Sequence, residues 1–169
     1  MTGVGKGDPG AHLRPTPDRV REALFSMLAS RGVIEDAHVL DLFAGTGALG
    51  LEALSRGAAA AVFVENGRVA QRLITENIAK LIAQDQAQVM RGDATRLGAW
   101  NGAPFDLVFL DPPYGKGLGE RALTAVRDWI NPGALVVWEE SAAMIPPEGF
   151  APVDQRKFGT SQITLIERV

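Results

Sequence analysis

The residues with the clearest chemical potential are Asp111, Pro112, Pro113 and Tyr114, which follow the apolar run 105–110. A run of that length, rich in Val, Leu and Phe, predicts a buried strand. Each proline fixes its own φ, lacks an N–H, and biases the residue before it toward extended geometry. We therefore predict a stiff turn that presents a carboxylate and backbone carbonyls beside an aromatic ring. Such a set of acceptors suits a flat ring that carries an amino group.

A second candidate site is the glycine-containing turn 45–50, which lies between the apolar run 39–44 and the helical segment 51–56. Strand, glycine turn and helix, in that order, form the ligand-binding corner of a doubly wound α/β sheet. The spacing Gly-x-Gly-x-x-Gly is a weak signal when it stands alone, so a tight turn without a ligand is the simplest alternative.

Acidic residues recur where the predicted strands end. Glu65, Asp93 and Asp111 each follow or close such a strand, and Asp41 lies near the end of the first. A single acid in this position is often only a cap or a turn residue. Four of them indicate a shared crevice, because open α/β sheets bind ligands beyond the carboxyl ends of their strands.

The charges in this crevice discriminate between two nucleotide-like cofactors. A dinucleotide such as NAD would bring a pyrophosphate to the glycine turn, where the Asp41 carboxylate would oppose it. S-adenosylmethionine brings an ammonium and a sulfonium, which Asp41 would favour. Glu65 could then bind the ribose hydroxyls and Asp93 the adenine amine. The turn at Asp111 has no role in hydride transfer, so S-adenosylmethionine is the favoured cofactor.

Arginines cluster at the start of a predicted helix, in which Thr16 would be the N-cap and proline follows it. The cluster comprises Arg14, Arg19 and Arg21. The helix dipole disfavours cations at this end, so local helix stability does not explain them. Two interpretations stand side by side: a solvated polar face, or contact with a phosphate that shares the positive helix end.

Composition sets broad limits on the protein class. The 169 residues suit one domain, which we place at 13–169 after a flexible segment 1–12. No apolar stretch has the roughly 18 residues of a membrane span. With no cysteine and two histidines, we expect no metal site. A cytoplasmic location is the default expectation. A net charge of −3 argues against indiscriminate binding of nucleic acid but leaves a local basic patch possible.

Apolar periodicity predicts helices over 68–82 and 118–130, with strands between them. The predicted strands are 39–44, 61–65, 88–93, 105–110 and 134–139, followed by a closing hairpin of 153–157 and 162–166 about Gly159. Strands that alternate with helices in this way are typical of an α/β sheet.

Three segments, 13–25, 41–57 and 111–114, together resemble a class I S-adenosylmethionine-dependent methyltransferase of the amino-group type, whose hallmark is Asp/Asn-Pro-Pro-Tyr/Phe. Within that class the chain resembles the RsmD family, the bacterial 16S ribosomal RNA guanine-N2 methyltransferases. The resemblance implies a single-domain, Rossmann-like fold: a mostly parallel seven-stranded sheet with helices on both faces and a C-terminal antiparallel hairpin. It also implies S-adenosylmethionine as cofactor.

The resemblance and the residue chemistry together assign the site. The catalytic residues are predicted to be Asp111, Pro112, Pro113 and Tyr114; the cofactor-binding residues Asp41, Phe43, Ala44, Gly45, Gly47, Glu65, Asn66, Asp93 and Ala94; and the substrate-binding residues Arg14, Thr16, Arg19 and Arg21. The expected partner is ribosomal RNA or an assembling small ribosomal subunit, bound by a monomer away from membranes.

Three alternatives remain open at this point. The same chemistry could act on a DNA adenine or a protein glutamine. The chain could be a binding module that keeps the fold without catalysis. It could also be an NAD-dependent dehydrogenase, for which tight binding of NAD without S-adenosylmethionine would be diagnostic.

Overall fold

The computed structural model describes residues 17–169. The predicted flexible segment 1–12, the predicted N-cap Thr16, and Arg14 therefore lie outside the described residues. Within them, no helix is long and apolar enough to cross a membrane.

A seven-stranded sheet forms the centre of the fold. The strands are β1 (His38–Leu42), β2 (Ala60–Glu65), β3 (Ala87–Arg91), β4 (Phe105–Leu110), β5 (Ile130–Glu140), β6 (Phe150–Phe158) and β7 (Ser161–Arg168), and they lie in the order β3-β2-β1-β4-β5-β7-β6. The first five strands are parallel to one another, whereas β7 runs antiparallel to both β5 and β6. The predicted mostly parallel sheet with a C-terminal antiparallel hairpin is confirmed.

Helices cover both faces of this sheet, as predicted. They are α1 (Asp18–Ser30), α2 (Ala48–Ser55), α3 (Arg68–Lys80) and α4 (Leu118–Val126), followed by a 3₁₀ turn at Arg127–Trp129. The first three contribute residues such as Phe25, Leu51 and Ile74 to one core. Helix α4 packs Leu123 and Val126 into the core on the opposite face. The near-continuous apolar strands are explained by burial on both sides.

Two predicted helices end earlier in the structure than apolar periodicity indicated. Helix α3 ends at Lys80, and Leu81 and Ile82 are 46% and 86% exposed, so their assignment to the apolar face was wrong. Ile82 has a φ of 53°, and the Ala83 N–H returns to the Ile78 carbonyl at 3.0 Å, which closes the helix. Similarly, α4 gives way to the 3₁₀ turn after Val126, because β5 begins already at Ile130.

The sheet topology also fixes where a site can form. Strands β1, β2, β3, β4 and β5 are parallel, so their carboxyl ends lie along one edge of the sheet. Glu65 is the last residue of β2, and the glycine turn, Asp93 and the Asp111 turn follow the ends of β1, β3 and β4. Every acid singled out from the sequence is therefore placed at the same edge.

Candidate active site

The glycine turn after β1 is tightly wound. Gly45, Gly47 and Phe43 have φ values of 59°, 80° and 56°, in the left-handed region that favours glycine. Below the turn, Asp41 is only 2% exposed, and its Oδ2 accepts a hydrogen bond from the Gly50 N–H at 3.0 Å. The turn therefore brings backbone N–H groups and a buried carboxyl group close together.

Glu65 joins the glycine turn to the loop after β2. Its Oε1 accepts a hydrogen bond from the Gly45 N–H at 2.9 Å, and its Oε2 accepts one from the Gly67 N–H at 2.9 Å. Asn66, between these contacts, is exposed. Each Glu65 oxygen keeps a further lone pair for a ligand hydroxyl.

The turn after β3 lies next to Glu65. The Gly92 N–H donates to the Glu65 carbonyl at 3.2 Å. Asp93 is exposed, and its Oδ1 accepts from both the backbone N–H and the hydroxyl of Thr95, at 2.8 and 2.7 Å. These hydrogen bonds lower the pKa of Asp93, so it is charged and its Oδ2 is available. Ala94 beside it is buried.

The turn after β4 has a buried and an exposed part. Pro112 is buried and Asp111 is partly buried, whereas Pro113 and Tyr114 are exposed, the tyrosine to 44%. Within residues 17–169, no donor hydrogen-bonds to the Asp111 carboxyl group. Burial first, and then the charges of Glu139 and neighbouring acids, raise the pKa of Asp111 well above its ordinary value of 3.8. Among the described residues this carboxyl group thus has no hydrogen-bond donor, and it lies beside an exposed ring.

Two acids at the end of β5 belong to the site and were not assigned a role from the sequence. Glu139 and Glu140 are 8% and 3% exposed. Glu139 Oε1 accepts from the Ser161 hydroxyl at 2.7 Å, and Glu140 accepts weakly from the Gly115 N–H and the Trp138 indole at 3.4 and 3.3 Å. The available signal was the position of Glu139 at the end of a predicted strand, as with the acids that were selected.

The electrostatics of the site are strongly acidic. Among the described residues, no Lys or Arg forms an ion pair with Asp41, Glu65, Asp111, Glu139 or Glu140. Burial, opposed by the Gly50 hydrogen bond and assisted by the Glu65 charge, raises the pKa of Asp41 to about 8. Such a cluster favours a cationic ligand and opposes an anionic one. Residues 17–169 contain no grouping of three or more side chains suited to hold a metal ion.

Of the predicted substrate arginines that the structure describes, Arg21 is engaged in ion pairs and Arg19 is exposed. Arg21 Nη2 lies 2.8 Å from Asp18 Oδ1, and its Nε lies 3.3 Å from Glu52 Oε1, so its guanidinium is already paired. Arg19 is exposed on the first turn of α1. Arg14 and Thr16 lie outside the described residues, so phosphate binding by this group remains a prediction.

Comparison with known proteins gives a consistent set of relatives. A family model described as Conserved hypothetical protein 95 matches residues 6–167. Ribosomal RNA small subunit methyltransferase D of Escherichia coli (strain K12) is 46% identical over 129 residues, which are 75% of this chain and 64% of that protein. The chain thus spans slightly less than two thirds of that relative.

Two further matches extend over more of their own lengths. The protein of the same name in Haemophilus influenzae is 35% identical over 154 residues, 87% of this chain and 79% of that protein. The solved structure of a proposed methyltransferase, yhhF from Escherichia coli, has a TM-score of 0.80 and 38% identity, and it covers 92% of this chain and 88% of that one.

Proposed function

Because the chain belongs to the Conserved hypothetical protein 95 family, which is the RsmD family, we propose that it methylates ribosomal RNA of the small subunit with S-adenosylmethionine. The atom methylated is, in this proposal, the exocyclic N2 of a guanine. The observation that carries it is Asp111: a carboxyl group with no donor among residues 17–169, next to the exposed ring of Tyr114. An aromatic amine would supply both the missing N–H donor and a flat surface for stacking.

The residues at and around the glycine turn fit the proposed cofactor in charge and in hydrogen-bonding capacity. Asp41 is an acid without a cationic partner in the described chain, and an ammonium or sulfonium nearby would favour its charged form. Glu65 has lone pairs left for ribose hydroxyls, and Asp93 Oδ2 is free for an adenine amine. Gly45 and Gly47, with Phe43 and Ala44, would contact the cofactor, as would Asn66 and Ala94. The same acids oppose the pyrophosphate of NAD.

In the proposed reaction the protein contributes little covalent chemistry. When bound, the cofactor would supply a methyl group on a positively charged sulfur to the lone pair of the amine, and the methylated amine would then release a proton to Asp111 or to water. The guanine amine is a poor nucleophile because its lone pair is delocalised into the ring. Asp111 and the Pro112 carbonyl accept its N–H groups, which localises that lone pair on nitrogen. Tyr114 stacks on the base, and Pro113 stiffens the turn, so orientation supplies much of the rate.

The RNA must present an unstacked base to this site. A guanine inside a helix cannot reach the Asp111 turn without leaving its stack, so we propose a flipped or single-stranded nucleotide. Arg19 is free to approach a flanking phosphate, whereas Arg21 would first have to leave Asp18 and Glu52. We propose that the protein acts as a monomer, on naked RNA or on an assembling subunit in the cytoplasm.

A parallel transfer assay tests the function and separates the alternatives. Radiolabelled S-adenosylmethionine is offered with small ribosomal subunits, free ribosomal RNA, DNA and protein, and the RNA product is digested to nucleosides for mass spectrometry. We expect label in RNA as N2-methylguanine. Label in adenine or glutamine would mean that the substrate is a different amine from the one proposed. The absence of label in every acceptor would overturn the proposed function.

The Asp111→Ala variant tests the assignment of the acceptor. Transfer should fall at least about 100-fold, because general-base and orienting groups contribute that much. Cofactor affinity, measured by calorimetry, should be largely retained. Asp85→Ala is the matched control, since Asp85 is an exposed acid in the turn before β3. Wild-type rates in Asp111→Ala would contradict the assignment.

A further inference from the structure

A groove lies between helix α3 and β3, the strand at one edge of the sheet. This α3 groove has a volume of about 530 Å³, and its lining residues are Arg68, Gln71, Arg72, Thr75, Glu76 and Arg91. The first five recur at the spacing of one helix face, opposite the buried Leu73 and Ile74. Arg91 ends β3 and continues the row of Ala87 and Val89, which pack against the same core as α3. Helix and strand therefore bring three arginines to one groove.

The three arginines have no partner in the described part of the chain. Among residues 17–169, Arg68, Arg72 and Arg91 form neither an ion pair nor a side-chain hydrogen bond, and all three are exposed. Glu76 follows Arg72 by four residues, but the order base then acid is the less favourable one on a helix. Helix stability does not explain Arg68 either, because the helix dipole disfavours a cation in the first turn, which contains no acid.

The donors and acceptors in the groove suit a ribose-phosphate backbone. A guanidinium presents its N–H donors in a planar fork that binds two phosphate oxygens at once. The Thr75 hydroxyl donates its proton to the Gln71 carbonyl at 2.9 Å, so the Thr75 oxygen can only accept from a ligand. Gln71 is itself held in place, because its Nε2 donates to the Glu65 carbonyl at 2.8 Å. The 2′-hydroxyl of RNA supplies a donor for the Thr75 oxygen.

One end of the groove lies at the same sheet edge as the candidate active site. Arg68 begins α3 just after Glu65, and Arg91 immediately precedes the turn that holds Asp93. Three strand spacings of about 4.8 Å separate β3 from β4, so the groove begins roughly 14 Å from the Asp111 turn. The acids of the active site repel phosphates. A base that enters the site therefore leaves its backbone outside, where cations can bind it.

We propose that the α3 groove binds the ribose-phosphate backbone of the substrate RNA, on nucleotides near the methylated base. This inference rests on the proposed function. Arg68, Arg72 and Arg91 contact phosphates, and the Thr75 oxygen accepts from a 2′-hydroxyl. These contacts position the RNA and read no base. They give a protein with a net charge of −3 a local surface that attracts RNA.

The salt dependence of RNA binding tests the groove. Arg72→Gln combined with Arg91→Gln removes two charges and leaves Arg68, which is close to Glu65, in place. Affinity for free small-subunit ribosomal RNA is measured by filter binding over a series of salt concentrations. We expect the affinity to fall at least about tenfold. The slope of log affinity against log salt should become shallower by about 1.4 to 2, because two phosphate contacts are lost. An unchanged slope would overturn the proposal.

Two further double variants serve as controls. Arg31→Gln with Arg127→Gln removes the same charge from residues that precede β1 and β5, at the opposite edge of the sheet, and should keep the wild-type slope. Arg72→Lys with Arg91→Lys keeps both charges, so it should keep the slope while it loses affinity with the planar fork. If both glutamine variants changed the slope equally, the effect would be one of net charge and the groove would be refuted.

Binding is measured without methyl transfer, so the two proposals can fail separately. If the groove variants altered RNA binding but the wild-type protein methylated no acceptor, the proposed function alone would fail. If the wild-type protein methylated RNA and its salt slope did not depend on the groove, the inference alone would fail. A loss seen only with assembled subunits, and not with free RNA, would identify a ribosomal protein as the partner and would also overturn the inference.

Discussion

The buried carboxyl group of Asp41 should make the protein less stable as the pH rises. Its pKa is raised from 3.8 to about 8 in the fold, so the unfolded chain releases this proton far more easily than the native protein does. Above pH 3.8 the unfolded state therefore binds fewer protons, and the free energy of unfolding falls by about 1.4 kcal/mol per pH unit until the folded group also ionises. Between pH 6 and 8 the loss from this one group is about 2 kcal/mol.

Asp41→Asn removes this proton linkage and keeps an oxygen for the Gly50 N–H. We expect the variant to gain about 2 kcal/mol relative to wild type between pH 6 and 8. Urea unfolding at pH 6, 7 and 8, fitted with a common m-value, measures the difference. Asp85→Asn, which changes an exposed acid, should run parallel to wild type. Parallel curves for Asp41→Asn and wild type would refute the reasoning, because they would mean that Asp41 is already ionised at pH 6.

Two further substitutions test the walls of the site. Glu65→Gln removes the negative charge from the side chain that accepts two backbone N–H groups. It should weaken S-adenosylmethionine binding, measured by calorimetry, about tenfold or more. The control Glu76→Gln, on the exposed side of α3, should leave that affinity unchanged. An unchanged affinity would remove Glu65 from the ribose site. Gly50→Ala places a Cβ 2.4 Å from Phe63 Cε1 and should cost about 1–3 kcal/mol in unfolding free energy. Gly98→Ala meets nothing within 4 Å and should be nearly neutral, so equal losses would contradict this packing.

The family, the sheet and the sheet edge where the acids lie could be predicted from the sequence, because each of these depends on local patterns. Apolar runs such as 105–110 indicate strands independently of their surroundings. The turn that begins at Asp111 has a residue composition that few other turns require. The family membership and the predicted architecture are confirmed. The individual roles of the site residues remain predictions.

What the sequence did not disclose depends on contacts between distant segments. Glu139 carries no motif, and only the register of β5 against β4 places it beside Asp111. The pairing of Arg21 with Glu52 requires α1 to lie against α2, which spacing along either helix does not reveal. Ile82 fits a helical apolar stripe, yet the end of α3 turns it to solvent.

The two hydrogen bonds that Glu65 accepts have a consequence for how a ligand arrives. One side chain restrains the loop after β1 and the loop after β2 at the same time, so both are ordered when the protein folds. The loss of conformational entropy on ordering these loops therefore occurs during folding, and little of it remains to oppose ligand binding. A substitution that weakens these two hydrogen bonds should therefore speed ligand dissociation before it lowers the stability of the fold.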